Sequence, residues 1–457
     1  MPRIHPRAEI VQDLVEGLGG AERRLLLHVL DCAVCRGLLR ERLNAAGQPA
    51  GRPAARATAR VLSWRRRGES GCPVDGVLRR FRGRLRAIER EQAEAPARLA
   101  ELLRCPAGRR AALLRVAPRF HTLSLCHRLA AASHEECFRD PRAAEELAEL
   151  GLELASLLDP RVHGARLLAD ARLRCWAAVG NARRIAADLR GADRAFAAAR
   201  ELLRAGTRDR LERARLFALE ASLRRAERRL AEADALLRRA IAIYRQAGEH
   251  HLEGEAILAQ ALVRREAGEP EPAIALLQQA DRLIDPRRNP RLELCLRHNL
   301  AHWLTEAGRF LEARAVIAKS RGLYERFPDR PSQLRRLWVE GKVAAGLGRW
   351  EEAAGLLERV RDGFAAEPLP YDAALAALDL AVAWSRLGRT AEVRALAAEV
   401  LPLFRARELQ RETLAALLVL EHAAAAEGAS LALLEEATAR LRAQAGGSRR
   451  DPLPFDL

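Results

Sequence analysis

Residues 306–327 read EAGRFLEARAVIAKSRGLYERF, and the spacing of their small and large residues decides the fold. Gly308 interrupts an apolar pattern, Ala313 follows it, then Val316, and Tyr324 closes the run. Between these marks apolar residues recur at three and four, the helical period. The same marks return every 40 residues through the C-terminal half. A small residue stands at Ala221, Ala261, Ala301, Gly341 and Ala381, and a turn residue at Arg228, Gly268, Gly308, Gly348 and Gly388. Behind each turn come Ala233, Ala273, Ala313, Ala353 and Val393, and then the apolar column Leu236, Leu276, Val316, Leu356 and Leu396. Large residues close each unit at Tyr244, Ile284, Tyr324, Phe364 and Phe404.

Each unit therefore reads as helix, short turn, helix, and a loop with Pro or charge. Antiparallel helices approach closely only where the crossing side chains are Gly or Ala, and large residues then fill the groove between successive pairs. The pattern resembles the tetratricopeptide repeat in a longer, 40-residue form, over about two thirds of the chain. That resemblance implies an all-α fold, a right-handed α-solenoid of about seven helical hairpins whose first helices line a concave groove suited to extended peptides or helices. Upstream, a one-residue offset brings Gly180, Ala187, Ala192, Ala195 and Leu203 into the same columns, so a further repeat is expected over roughly 162–206 and a degenerate pair over 118–158. Downstream, Gly428 keeps the turn but Glu421 replaces the small residue, as suits a terminal repeat with one face toward water. Almost no segment alternates apolar and polar residues, so essentially no sheet is expected.

Composition agrees with a folded, non-membrane chain. Hydrophobic residues make up 49% and charged residues 30% of 457, outside the disordered range. The longest apolar stretches contain Asp379 or Glu421 and fall short of the ~18 residues a membrane span needs. The N-terminus has acidic residues by position 9 and no apolar core of a secretory signal, so a cytoplasmic protein is expected. The net charge of +17 is carried almost wholly by arginine, Lys319 and Lys342 being the two lysines. It is also uneven: residues 1–140 hold 27 basic against 15 acidic residues, the remainder 51 against 46. Eight cysteines, mostly isolated within helical patterns, do not form a disulfide framework.

One pair of cysteines does sit at metal spacing. In HVLDCAVC, His28 and Cys32 are four apart on one face of a helix end, and Cys35 begins the next helix across a tight turn. Three soft ligands then converge as a tetrahedral zinc centre requires, and His5, before the first amphipathic helix, would return to the same end of a helical hairpin. This arrangement resembles the zinc-binding module of anti-sigma factors, which shares the His, three, Cys, two, Cys spacing. The resemblance covers about 40 residues. It implies one Zn2+ on His28, Cys32, Cys35 and His5, and a sigma factor or other transcription component as partner. The alternative is that these side chains merely pack a small hairpin. That family often continues into a membrane helix, whereas this chain continues into repeats.

The organisation that follows is a metal-binding module at 1–45, a linker at 46–73, a basic amphipathic connector at 74–117, repeats at 118–445 and a tail at 446–457. In the connector, Val74, Val77, Leu78, Phe81, Leu85 and Ile88 form one stripe with Arg79, Arg80, Arg82, Arg84, Arg86 and Arg90 around it. Such a helix is a solvated face, or binds an acidic protein, nucleic acid or an anionic membrane. Taking the small column as a register mark, the residues expected to face the groove are Arg215, Arg225, Arg265, His298, His302, Arg335, Trp338 and Lys342. They are basic with one large aromatic, which points to an acidic, extended protein segment with an apolar anchor on Trp338. Cys295, His298 and His302 share a helix face, and Cys126, His127, His134 and Cys137 cluster in sequence, but neither set has convincing metal geometry. No phosphate-binding loop, HExxH or nucleophile elbow occurs, so the expectation is a binding protein and not an enzyme.

Overall fold

The computed structural model describes residues 73–367 and 370–396, with side chains from residue 86 onward except at 370, 371 and 374. The candidate zinc ligands His5, His28, Cys32 and Cys35 lie outside the described residues, as do the linker to residue 72, Phe404, the terminal repeat at Glu421 and Gly428, and the tail. Among the described residues every regular element is helical. In chain order they are α1 (Pro73–Arg104), α2 (Ala107–Val116), α3 (Leu123–Glu136), α4 (Pro141–Leu157), a single turn α5 (Pro160–His163), α6 (Ala165–Ile185), α7 (Leu189–Ala205) and α8 (Arg210–Ala226). They continue with α9 (Leu230–Ala247), α10 (His250–Glu266), α11 (Pro270–Asp281), α12 (Pro290–Glu306), α13 (Phe310–Glu325), α14 (Arg330–Gly346), α15 (Trp350–Ala365) and α16 (Pro370–Arg386). None of them is long and apolar enough to cross a membrane.

The chain divides into two compact units, one up to Leu219 and one from Glu220. In the first, α3 with α4 and α6 with α7 are the hairpins expected over 118–158 and 162–206. Gly180 makes the close approach of the second pair: a Cβ there would lie 3.0 Å from three ring atoms of Phe196. Leu99 and Leu102 of α1 and Leu114 of α2 belong to one core with Phe120, Leu125, Leu129, Leu147 and Leu154. The segment expected as a connector is thus, in its second half, part of this core.

Helix starts follow local chemistry. The Asp140 carboxylate accepts from the Arg142 and Ala143 N–H groups, Asn289 from Leu292 and Asp329 from Ser332, satisfying donors that no preceding turn can reach. Pro141, Pro270 and Pro290 open their helices, where a missing N–H is harmless.

In the second unit the 40-residue marks become geometry. Gly268, Gly308, Gly348 and Gly388 all lie at φ between +74° and +81°, and Arg228 takes the same left-handed conformation at +63°. Ala187, in the corresponding turn of the first unit, stands at +66°. In each case the following N–H reaches back to a carbonyl five residues earlier, as Arg309 does to Leu304 at 2.8 Å and Arg349 to Ala344 at 2.9 Å, which ends the helix and reverses the chain. The small columns are buried: Ala221, Ala261, Ala301 and Ala381 in the first helices, Ala233, Ala273, Ala313 and Ala353 in the second. So are the closing residues Tyr244, Ile284, Tyr324 and Phe364. One column shifts. The fully packed large residues are Leu237, Leu277, Ile317 and Leu357, one position later than the expected Leu236, Leu276, Val316 and Leu356, which are half-buried. Four residues from the buried alanine, instead of three, is the spacing that keeps a side chain on the same helix face here, and a Cβ at Gly341 would come nearer to Leu357, at 3.0 Å, than to Leu356, at 3.4 Å.

Candidate partner groove

The first helices of the second unit carry seven of the eight residues expected to face a partner, and Arg215 lies in the part of α8 that belongs to the first. Most of them meet a carboxylate of the chain itself. Arg225 donates to Glu266 at 3.0 Å, and Arg228 to the other oxygen of the same carboxylate at 2.8 Å. One hairpin on, Arg265 donates to Glu306, whose carboxylate also lies 3.4 Å from His302 Nε2 and 4.0 Å from Lys342 Nζ. Arg335 Nη2 is 3.9 Å from Asp372. Arg215 donates to Glu212, which also takes a two-pronged contact from Arg174 at 2.8 and 2.6 Å.

Trp338 is not a surface anchor. Its side chain is 1% exposed, its indole N–H donates to Asp379 at 2.8 Å, and its ring meets Phe364 edge-on at 5.7 Å. His298 and His302 are equally enclosed, at 0% and 3% exposure. The basic face with one aromatic, expected to wait for an acidic partner, is in large part consumed in joining one hairpin to the next. Arg225 to Glu266, Arg265 to Glu306 and Trp338 to Asp379 are each 41 residues apart, one repeat plus one residue. Glu266, Glu306, Asp372 and Asp379 are therefore the internal partners of this face, and the register alone does not reveal them. Searching one period plus one residue downstream of each basic residue for an acid finds two of them, Glu266 and Glu306, while Asp379 stands at that spacing from Trp338.

The electrostatics follow from enclosure. Burial holds the His298 imidazole well below its usual range, and His302, Arg335 and Lys342 push the same way. Its Nδ1 lies 2.8 Å from the Tyr324 hydroxyl, whose own proton is held more tightly than usual by burial. In the first unit burial raises Asp170, although Thr207 donates to it from its hydroxyl at 2.5 Å and its N–H at 3.2 Å. Cys295 sits in an apolar cluster with Leu294, Leu323 and Tyr324, and Cys126 and Cys137 are also buried. Among the described residues no three His, Cys, Asp or Glu side chains are arranged to hold a metal ion.

A second set of pairs lies nearer the solvent, with Arg309 to Glu271 at 3.3 Å, Arg389 to Glu351 at 3.0 Å and Arg291 to Asp329 at 3.0 Å. Exposed pairs of this kind contribute little each, about 0–1 kcal/mol.

Hairpins of this construction, following one another along the chain, define an all-helical repeat architecture. Residues 292–366, spanning α12 to α15, match the family model described as tetratricopeptide repeat. Among solved structures, a Rap protein complexed with Competence and Sporulation Factor is similar, at 12% identity and a TM-score of 0.51, over 71% of this chain and 88% of that one. The apo form of RapI is similar at 12% identity and a TM-score of 0.53, over 70% and 86%. At such identity the likeness is one of fold. No curated protein matches the sequence.

Proposed function

We propose that this chain is a non-enzymatic regulatory protein that holds a partner protein against the first helices of its repeats. The observation that carries the reading is the tandem of hairpins matched at 292–366, on a fold that a Rap protein uses with Competence and Sporulation Factor bound. The partner contacts fall on the parts of the charged rows that stay open to solvent, such as Arg215, 42% exposed, and Arg265, 33% exposed. An acidic segment would there compete with Glu212 and Glu306 for arginines already in hydrogen-bonded geometry. Specificity then resides in the exchange of an internal carboxylate for an external one.

The N-terminal motif extends this reading. One zinc ion on His28, Cys32, Cys35 and His5 would fold a small module that contacts a sigma factor or another transcription component, and ligand spacing is what supports it. Affinity capture from native cell lysate, with and without a zinc chelator, tests both parts. Arg225→Gln with Arg265→Gln removes the charge while Arg228 still holds Glu266 and His302 and Lys342 stay beside Glu306, so the double variant should lose the groove partner with its thermal midpoint nearly unchanged. Retention of every wild-type partner by that variant excludes the groove, and chelator-insensitive capture excludes the metal module.

A further inference from the structure

We propose that the corner made by the end of α1 and the length of α2 is a docking surface for an anionic lipid bilayer, with α2 lying along the headgroups. Residues 102–134 hold six arginines and no acidic residue. Pro106 cannot continue α1 and pushes Cys105 out of helical geometry, so the chain turns there and restarts as α2. A Cβ at Gly108 would meet nothing within 4 Å, so the start of α2 opens outward. The buried residue of α2 is Leu114. On the opposite stripe of the helix Arg109, Ala112 and Val116 are exposed, Val116 at 76%. Leu103, just before the corner, is 36% exposed.

The charge of this corner is in excess. Arg115 pairs with Glu153 at 2.6 Å and Arg119 with Glu101 at 2.8 Å. Arg110 turns back on the chain, donating to the carbonyls of Leu103 at 3.2 Å and Cys105 at 3.0 Å, and so closes the end of α1 while keeping its charge. Arg104 and Arg109 are exposed and meet no carboxylate among the described residues. Three cations therefore stand beside exposed aliphatic side chains on one short run of chain.

A bilayer with anionic headgroups meets both features. The guanidinium fork takes two phosphate oxygens at once, and the aliphatic stripe gains burial at the boundary between headgroups and acyl chains. Duplex nucleic acid would use the arginines but leave Val116 in water. A single strand would find no aromatic face to stack on here, since Phe120 is buried beneath Arg119. With so few groups the attachment is reversible, and it depends on headgroup charge within a Debye length of about 10 Å at 0.1 M salt.

Co-sedimentation of the full-length protein with sucrose-loaded vesicles tests the surface, using phosphatidylcholine alone and phosphatidylcholine with about one third phosphatidylglycerol, at low and high salt. Binding should appear on the mixed vesicles and fall as salt is raised. Arg104→Gln with Arg109→Gln should weaken it by roughly tenfold or more, at about fivefold per arginine. Val116→Asn, which leaves the charge alone, should weaken it about threefold. Arg239→Gln with Arg314→Gln removes the same charge from exposed positions on α9 and α13 and should bind as the wild type does. All five side chains are exposed, so circular dichroism of the variants should match the wild type. Absence of wild-type binding, equal binding to both kinds of vesicle, or equal weakening by the two double variants overturns the proposal. So does an unchanged affinity in Val116→Asn. Tighter binding to duplex DNA than to the mixed vesicles, weakened by Arg104→Gln with Arg109→Gln and not by Val116→Asn, would assign the surface to nucleic acid instead.

Discussion

Gly308 and Gly322 lie in the same hairpin, and replacing each with alanine should move stability in opposite directions. A Cβ built at either position meets nothing within 4 Å, so sterics with the rest of the protein cancel. What differs is the backbone. Gly308 holds φ at +74°, where an L-residue is disfavoured by about 1–2 kcal/mol. Gly322 lies within α13 with ordinary helical geometry and an exposed face, where alanine is favoured over glycine by about 0.5–1 kcal/mol. Alanine also narrows the unfolded ensemble, by about 0.4–1 kcal/mol, and this offsets part of the Gly308 penalty. Gly308→Ala should therefore destabilise by roughly 1 kcal/mol and Gly322→Ala stabilise by a similar amount, a split of about 2 kcal/mol. Gly308→Asn should fall between them, since asparagine tolerates the left-handed region. Urea unfolding followed by circular dichroism gives each midpoint, and hydrogen exchange in α12 and α13 gives the local value should the repeats unfold in stages. Equal signs for the two alanine variants would refute the reasoning. It follows that Gly308→Val is damaging through its backbone and not through crowding at the turn. Crowding belongs to Gly254, where a Cβ would come within 2.8 Å of Ile284 Cγ1 and 3.2 Å of the Ile284 backbone nitrogen.

The same turn logic makes Ala187→Gly, at φ +66°, a stabilising change of about 0.5 kcal/mol, measurable by urea unfolding. Asp379→Ala strands the buried Trp338 indole N–H and should lower stability by about 1–3 kcal/mol, whereas Asp379→Asn keeps an acceptor and should lose less; equal losses would show that the hydrogen bond is immaterial. Burial pushes the Cys175 thiol up to about 12 and raises Cys126 and Cys137, so all three hold the unreactive thiol form more firmly than a free cysteine does. Among the described cysteines, thiol-reagent labelling in native buffer should spare these three and modify the partly exposed Cys105 first, and labelling of Cys175 at the Cys105 rate would contradict the packing. Protein purified without a metal-binding tag should carry one zinc per chain by elemental analysis, lost in Cys32→Ser with Cys35→Ser; a metal-free protein with a folded N-terminal module would dismiss the site.

The hairpins were legible because two of their requirements are local. A left-handed turn selects glycine, and a close crossing selects alanine or glycine, so both leave marks at a fixed period whatever the rest of the sequence does. Arg228 and Ala187 show how robust the mark is, since both adopt the turn conformation without being glycine. The large apolar column was misread by one residue because Leu236 and Leu237, or Leu276 and Leu277, are adjacent and alike. Only the packing tells which of the two faces the neighbouring helix. Likewise Leu99, Leu102 and Leu114 are spaced as any amphipathic helix would be, and nothing local announces that they complete a core with Phe120 and Leu129.

The groove was harder for a reason inherent to stacked repeats. Each hairpin offers its neighbour the same kind of surface that it would offer a partner, and the register that places Arg225, Arg265 and Trp338 on a first helix says nothing about which of the two is met. Burial decides it, and burial depends on the residue 41 positions ahead. Where that residue is Glu266, Glu306 or Asp379, the side chain turns along the stack and becomes part of the joint. Charge along the first helices holds the hairpins together, and under the proposed function it also meets another molecule, so a charge reversal such as Arg335→Glu, facing Asp372, tests both at once. Neutral, hydrogen-bonding replacements are the ones that separate a lost partner from a loosened stack.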